Sequence, residues 1–317
     1  MHDLSTEHTI ATPTPGFAQL FQLLRAMRPR QWIKNVFVFA AIAFSAERLW
    51  YTAPNKLITV GIAFLCFCMA ASAIYLINDL ADIEKDRAHP RKRHRPLASG
   101  KLSPTVAVVA AILLIIGVIP IAYQIDPDMG FLSTLITYVL VQGILYTYLL
   151  KNIVILDILT IAAGFVLRAV AGALVINIKM TPWLLVCMGL LAIFLGIGKR
   201  RNELVLLEGG AGEHRRILAE YSVPMLDQML AIVTACIIMA YSMTTFSAPA
   251  VPQDPFPMLM TTIPFVIYAI FRYLYLIYQH GGGGSPEELV LKDPPLAISI
   301  GLWGLTVLAL LFAFRTT

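Results

Sequence analysis

Uncharged runs of about 20 residues recur along almost the whole chain, and this repetition limits the fold more than any other feature. An α-helix needs about 20 apolar residues to cross roughly 30 Å of hydrocarbon, so each run predicts a membrane span. Only 14% of the residues are charged, against about 25% in a typical soluble domain. We therefore expect an all-α integral membrane protein.

We predict nine transmembrane helices in a single helical bundle, with boundary errors of several residues. The first span is the shortest, because only 12 uncharged residues separate Lys34 from Glu47, and an interfacial helix is the alternative there. Residues 1–16 are polar and predict a disordered cytoplasmic tail, followed by one transmembrane domain, 17–317. The nine predicted spans are 32–46, 57–77, 104–125, 129–150, 154–176, 181–198, 225–247, 257–278 and 294–314.

Lysine and arginine are distributed unevenly between the two ends of these spans. With the N-terminus inside, 18 of the 24 Lys and Arg residues fall on the cytoplasmic side and four on the opposite side. This bias predicts a multi-pass protein of the plasma (inner) membrane with its charged loops in the cytoplasm. The net charge of +5 is explained by this rule and by attraction to anionic membrane lipids. Nothing in the sequence indicates nucleic-acid binding, and the oligomeric state is left open.

One connection between two spans, residues 78–103, carries both signs of charge. Asp79, Asp82 and Asp86 stand at i, i+3 and i+7, within about 60° of one helical face, whereas Glu84 points elsewhere. Like charges on one face repel, so a cation should lie against them. Mg²⁺ suits this position, because it takes one or two carboxylates and fills its shell with water and substrate phosphates.

Basic residues follow the acidic face and offer donors for phosphate oxygens. Asn78, at the edge of the same face, adds an amide. Carboxylates for a metal and cations for phosphate together predict a diphosphate site at the membrane surface. A solvated loop with many salt bridges is the alternative. The candidate cations of this segment are Lys85, Arg87, Lys92, Arg93 and Arg95.

A second charged cluster follows the sixth predicted span and contains Lys199, Arg200 and Glu203. We predict that it contributes to substrate binding; the alternative for its basic residues is snorkelling at a helix end. Tyr221 and Asp227 follow in the sequence AEYSVPMLDQ and are further candidates. For Asp227, complementation of the helix dipole is the alternative.

Arg168 lies inside a predicted span, where its insertion costs at least about 2.5–3.5 kcal/mol. It shares a helical face with Asp157 and Gly164, and Gly172 follows one turn on. Small residues let helices approach one another, so we expect this face to look into the bundle. Arg168 is therefore a candidate either for binding an acceptor phosphate or for pairing with a buried acid.

Residues 78–86, NDLADIEKD, resemble the NDxxDxxxD motif of the UbiA prenyltransferase superfamily, and the resemblance covers about residues 25–314. Three further segments are similar to the branch of polyprenyl-phosphate (decaprenyl-phosphate) phosphoribosyltransferases. These are RPRQWIKN at 28–35, which includes Lys34, KRHRPLASG at 92–100 and GKRRNEL at 198–204. The superfamily usually has a second acidic cluster after the sixth span, and this chain has no clean DxxxD there.

The resemblance implies a UbiA-like bundle of nine helices that transfers a 5-phosphoribosyl group from 5-phosphoribosyl 1-diphosphate (PRPP) to a polyprenyl phosphate. Pyrophosphate would leave, and the product would serve synthesis of a cell-envelope arabinose donor. In this reading Asp79, Asp82 and Asp86 are catalytic and hold Mg²⁺, while the cations bind the phosphates.

Two other functions stay open at this point. A prenyltransferase that moves an isoprenoid from its diphosphate to an aromatic or other lipophilic acceptor would use the same acidic face. A transporter would place charged or broken helices near the midplane, whereas the charges here cluster at one membrane surface.

Overall fold

The computed structural model describes residues 16–45, 49–88, 92–206, 216–248, 251, 253–281, 284 and 286–314. All regular elements in these ranges are helical, so the predicted all-α class is confirmed. The predicted tail lies outside the described residues, apart from position 16. The α-helices are α1 Phe17–Ala26, α2 Ala40–Ala43, α3 Leu49–Thr52, α4 Pro54–Ala81, α5 Ile83–Ala88, α6 Pro104–Ile125, α7 Gly130–Tyr138, α8 Tyr146–Tyr148, α9 Leu156–Val175, α10 Pro182–Leu206, α11 Val223–Phe246, α12 Ile263–His280, α13 Pro286–Lys292 and α14 Pro294–Ala313.

Eight helical segments in the described part of the chain are long and apolar enough to cross a membrane. They coincide with eight of the nine predicted spans, with a π-helical stretch joining α7 to α8 and a 3₁₀ turn preceding α12. The remaining predicted span, 32–46, forms a 3₁₀ helix, Pro29–Phe39, followed by the short α2. We call Pro29–Phe39 the 3₁₀ segment.

Local signals in the sequence set several helix ends. Proline stands in the first turn of α4, α6, α11, α12 and α14, where its missing N–H costs no hydrogen bond. Ser222 and Asp293 cap α11 and α14 by accepting from backbone N–H groups at 3.3 and 2.9 Å. Arg272 donates to both oxygens of Asp293 at 3.1 and 2.8 Å. These bonds hold the pKa of Asp293 below its ordinary value.

The long helices pack as two groups. In the first, α4, α6, α7 and α9 enclose a core that includes Phe67 and Phe131, with the 3₁₀ segment packed against α4 and α9. In the second, α10, α11, α12 and α14 surround a core that includes Phe194 and Leu230. The two groups are joined where α9 packs against α10.

The face of α9 that the sequence predicted to look into the bundle is buried. Asp157, Gly164, Arg168 and Gly172 all lie on it with little or no exposure. A Cβ atom at Gly172 would overlap the carbonyl oxygen of Val38 in the 3₁₀ segment. Glycine therefore lets the backbone of the 3₁₀ segment lie directly against α9.

We predict that Gly172→Ala lowers the midpoint of thermal unfolding in detergent. Its added methyl group meets a backbone oxygen that cannot rotate away, and overpacking of this kind costs about 1–3 kcal/mol. Gly301→Ala in α14 is the matched control, because its Cβ would meet nothing within 4 Å. In a helix that change gains up to about 1 kcal/mol from propensity. Equal losses in both variants would contradict the close approach.

Candidate active site

A cavity of about 2320 Å³ lies between the two helix groups. Its charged residues are concentrated where α4 and α10 end and α9 begins, which we call the charged end of the bundle. Its deeper wall on the second helix group is mainly apolar, with Leu191, Ile237, Ile270 and Leu296 among its residues. Such a cavity can hold a charged group and a long apolar chain at the same time.

The acidic motif lies at a break between two helices. α4 stops at Ala81, Asp82 has non-helical dihedrals of φ −108° and ψ 14°, and α5 begins at Ile83. The prediction that one continuous helix carries the three acids is therefore wrong. Carboxylates oppose the dipole at a helix C-terminus and repel one another, so this end of α4 does not favour continued helix.

Asp79 and Asp86 converge across the break, and we call them the acidic pair. They are 2% and 3% exposed. One guanidinium nitrogen of Arg95 donates to Oδ1 of Asp79 at 3.1 Å and to Oδ2 of Asp86 at 2.7 Å. Arg28 also donates to Oδ1 of Asp79. Buried carboxylates need partners of this kind, because an unpaired buried charge is very costly.

The other two acids of the motif have different surroundings. Asp82 accepts from the Lys151 ammonium at 3.0 and 2.9 Å. Glu84 is exposed and pairs with Arg87 at 2.6 Å, so it points away from the acidic pair as predicted. Of the four acids, Asp79 and Asp86 are therefore buried, Asp82 is half-buried and Glu84 is solvated.

The acidic pair fits Mg²⁺ by the chemistry of its donors. Both groups are carboxylates, and Mg²⁺ commonly takes one or two of these with water and phosphate oxygens in its other positions. Across the described ranges, no three Asp, Glu, His or Cys side chains converge as ligands. The three predicted ligands therefore do not form one preassembled set, since Asp82 is bound to Lys151.

On the opposite wall, Arg200 is the centre of a buried network. It is 2% exposed and donates to Asp157 and to Glu203, each at 2.6 Å. Tyr221 donates to the other oxygen of Asp157 at 2.7 Å and accepts from the N–H of Ile155 at 2.7 Å. Burial and the bond to Asp157 raise the pKa of Tyr221 above its ordinary value. This network fixes α9, α10 and the start of α11 relative to one another.

Lys199 precedes this network in α10 and lines the cavity. It has no hydrogen-bond or ion-pair partner among the residues that the structure describes. Arg201 instead donates to Asp227 at 2.5 Å and lies over the ring of Tyr278 at 4.5 Å. Lys199 is therefore a cation that can meet an anionic ligand without first leaving a protein partner.

Arg168 lies deep in the bundle, eleven residues or about 16 Å along α9 from Asp157. Its nitrogens donate to Asn35 at 2.7 Å, to the carbonyl of Gly164 at 2.7 Å and to the hydroxyl of Tyr138 at 2.6 Å. All three acceptors are neutral. Arg168 therefore does not pair with a buried acid, which was one of its two predicted roles. Its side chain instead connects the 3₁₀ segment to α7 and α9.

The cavity brings together most of the predicted site residues and leaves four aside. Arg87 and Arg93 are exposed, Tyr221 lies in the buried network, and Asp227 pairs with Arg201; none of these four lines the cavity. The predicted residues that line it are Lys34, Asn78, Asp79, Asp82, Lys85, Asp86, Lys92, Arg95, Arg168, Lys199, Arg200 and Glu203.

Three residues of the site were not singled out from the sequence. Arg28 and Lys151 bind acids of the motif, and Thr147 donates to the amide oxygen of Asn78. Two signals were present: Arg28 belongs to RPRQWIKN, and Lys151 is an isolated cation at the end of a span. Neither signal identifies the acid that the residue meets.

Known proteins resemble this chain in sequence over most of its length. The sequence model of the UbiA prenyltransferase family matches residues 35–285. A decaprenyl-phosphate phosphoribosyltransferase of Mycolicibacterium smegmatis is 36% identical over 303 residues, covering 92% of this chain and 94% of that protein. Its counterpart in Corynebacterium glutamicum is 33% identical over 283 residues, covering 89% and 84%.

A solved structure shares the fold. The UbiA homolog from Archaeoglobus fulgidus bound to GPP and Mg²⁺ matches with a TM-score of 0.69 at 18% identity, covering 92% of this chain and 99% of that one. The predicted UbiA-like helical bundle is thereby confirmed.

We predict that Asp79→Asn and Asp86→Asn weaken the joint binding of Mn²⁺, as a probe for Mg²⁺, and pyrophosphate. Each change removes one negative charge from the acidic pair while keeping its shape, so metal affinity should fall at least about tenfold, as second-shell losses alone do. Electron paramagnetic resonance of free and bound Mn²⁺ measures the effect. Glu84→Gln, on the solvated side of α5, should bind as the unmodified protein does. A loss in this control as large as in the other two would refute the assignment.

Proposed function

Because the chain belongs to the UbiA prenyltransferase family, we propose that it transfers a 5-phosphoribosyl group from PRPP to a polyprenyl phosphate and releases pyrophosphate. Relatives at 32–36% identity over most of the chain carry the name decaprenyl-phosphate phosphoribosyltransferase. Within this structure, the observation that carries the proposal is Lys199, an unpaired cation on the wall opposite the acidic pair.

The diphosphate of the donor fits the end of the cavity that holds the acidic pair. Asp79 and Asp86 would hold Mg²⁺, which when bound would offset the negative charge that develops on the departing pyrophosphate. Arg28 and Arg95 already lie on these carboxylates and are placed to donate to diphosphate oxygens. Asp82 would hold Lys151 at the rim of the cavity.

The second phosphate of PRPP distinguishes it from a prenyl diphosphate. This 5-phosphate lies at the far side of the ribose and needs a cation away from the metal. Lys199 meets that need, because its backbone is anchored next to the buried Arg200 while its side chain lines the cavity. A prenyl donor has no second anionic group for this ammonium to bind.

The acceptor phosphate needs no general base, because it is already anionic. One of its oxygens attacks the anomeric carbon of the ribose, the bond from that carbon to the diphosphate oxygen breaks, and pyrophosphate leaves with the bonding electrons. The apolar wall of α10, α11, α12 and α14 suits the isoprenoid chain and keeps water from competing as the nucleophile. The product is a polyprenyl phosphoribosyl phosphate, the kind of lipid from which a cell-envelope arabinose donor can be built.

We predict that the pure protein, given Mg²⁺, radiolabelled PRPP and a polyprenyl phosphate, forms a labelled lipid that extracts into organic solvent, together with pyrophosphate. Lys199→Ala should raise the KM for PRPP about tenfold or more, since a charge-assisted bond is worth about 1.5–3 kcal/mol. The KM for the lipid should change little, because Lys199 would contact only the donor. Lys292→Ala is the matched control, as this lysine pairs with Glu288 on α13 and does not line the cavity.

The runner-up activity is transfer of a prenyl group, and the same preparation tests it. Incubation with a prenyl diphosphate and an aromatic acceptor replaces the two substrates. If this pair is consumed while PRPP gives no lipid product, the phosphoribosyl proposal is wrong and the chain is a prenyltransferase.

We also propose that the charged end of the bundle faces the cytoplasm from the plasma (inner) membrane. The bias of 18 against four basic residues supports this orientation. PRPP is a water-soluble sugar phosphate, so a cytoplasmic opening gives the site direct access to it.

Cysteine labelling tests the orientation in intact cells. In a Cys236→Ser background, where the other native thiols are buried, a membrane-impermeant reagent should not label Lys92→Cys. It should label Asp128→Cys, which is exposed in the short connection at the opposite end. Labelling of Lys92→Cys from outside would reverse the orientation.

A further inference from the structure

The helix α1 lies at the charged end and is fixed there by its inner face. Ala26 is 2% exposed, and Leu23 and Met27 pack against a small core between α4 and α6. The side chain of Gln19 donates to the carbonyl of Lys101 at 3.2 Å and accepts from the N–H of Ser103 at 3.1 Å. α1 is therefore attached to the bundle beside the start of α6.

The outer face of α1 is apolar as well. Leu20, Phe21 and Leu24 are 51%, 64% and 47% exposed. At 3.6 residues per turn they lie roughly 120–160° around the helix from Ala26. A helix whose outer face meets water carries polar residues on that face. The residues of α1 therefore suit apolar surroundings on both faces.

Two unpaired cations lie on α1 or shortly after it in the chain. Arg25 and Arg30 are exposed and have no hydrogen-bond or ion-pair partner within the described ranges. In the 3₁₀ segment that follows, Ile33 and Val36 are 61% and 45% exposed and line the opening of the cavity. Apolar side chains with guanidinium groups beside them match the boundary between acyl chains and anionic headgroups.

We propose that α1 lies within the headgroup layer of the membrane, with Leu20, Phe21 and Leu24 among the acyl chains and with Arg25 and Arg30 on the phosphates of anionic lipids. The position of α1 at the charged end of a membrane-spanning bundle, and the presence of two unpaired arginines near its exposed apolar side chains in the chain, favour lipid over a protein partner.

This location would also set the depth of the active site. The residue that follows α1, Met27, accepts from the hydroxyl of Ser72 on α4 at 3.2 Å, and Arg28 binds Asp79. If α1 lies at headgroup depth, so does the acidic pair. Given the proposed function, the phosphate of the lipid acceptor would then meet the donor at the depth it already occupies in the bilayer.

The location of α1 can be measured without any catalytic assay. Spin labels at Phe21→Cys and Leu24→Cys, in the full-length Cys236→Ser protein in phosphatidylcholine and phosphatidylglycerol nanodiscs, report accessibility to oxygen and to a water-soluble nickel chelate. We expect high access to oxygen and low access to nickel. A label at Ala18→Cys, exposed on the flank of α1, is the matched control and should be more accessible to nickel.

Two outcomes of this measurement would overturn the proposal. High access of the nickel chelate to Phe21→Cys and Leu24→Cys would place the outer face of α1 in water. Low access to both reagents, together with dipolar broadening between labels, would show that a second copy of the chain covers this face.

The anionic part of the proposal has its own test. Native mass spectrometry after detergent exchange measures how much phosphatidylglycerol is retained relative to phosphatidylcholine. Arg25→Gln and Arg30→Gln should each lower this ratio about fivefold, whereas Lys179→Gln, an exposed cation at the opposite end, should not. Equal effects of all three changes, or none from the arginines, would refute specific binding at α1.

Discussion

The geometry of the site depends on the buried ion pair between Asp157 and Arg200. Their side chains are 0% and 2% exposed. Withdrawing two charges from water costs several kcal/mol per ion, and only full hydrogen bonding offsets that cost. Here Tyr221 and Glu203 supply the remaining bonds. Loss of either partner would leave an uncompensated charge, at about 3–5 kcal/mol, so the pair fixes the register between the two helix groups.

The register between α9 and α10 also sets the position of Lys199. Lys199 precedes Arg200 in α10, so the network that immobilises one residue also fixes the backbone of the other. On the opposite wall, the acidic pair is held through Arg95 and Arg28. The separation between the two polar walls is therefore set by ion pairs that are fully or partly buried. A donor with two separated phosphate groups requires such a fixed separation.

Much of the fold could be predicted because it rests on local patterns. Apolar runs identified the eight long helices, and the spacing of Gly164, Arg168 and Gly172 identified the inward face of α9. Helical spacing within residues 79–86 likewise placed Glu84 away from the acidic pair. These inferences succeed because helical periodicity alone determines which residues share a face.

The remainder depends on contacts between residues far apart in sequence. The acids of the motif have partners of this kind. Asp82, at the helix break, binds Lys151, which is 69 residues away, and Asp79 binds Arg28, which is 51 residues before it. The same limit applies to Arg168. Helical spacing showed which way Arg168 points, but its neutral partner Asn35 is 133 residues away. Asn35 lies in the 3₁₀ segment, and no apolar pattern in the sequence distinguishes this 3₁₀ helix from an α-helix.

Charge within the cavity explains how the acidic motif can serve an anionic donor. Nine Lys and Arg side chains and five Asp and Glu side chains of the described residues line it, which leaves four positive charges in excess. The cations nearest the motif are matched by its acids. A metal diphosphate bound there would therefore exchange these pairs, with the carboxylates placed to hold the metal and the guanidinium groups placed to donate to the phosphates. That exchange alone adds no net attraction. The excess positive charge lies elsewhere on the cavity wall. A terminal phosphate carries about −1.5 to −2 at neutral pH. The excess therefore matches a donor with a second phosphate, together with a lipid phosphate, better than it matches a donor whose remaining part is apolar.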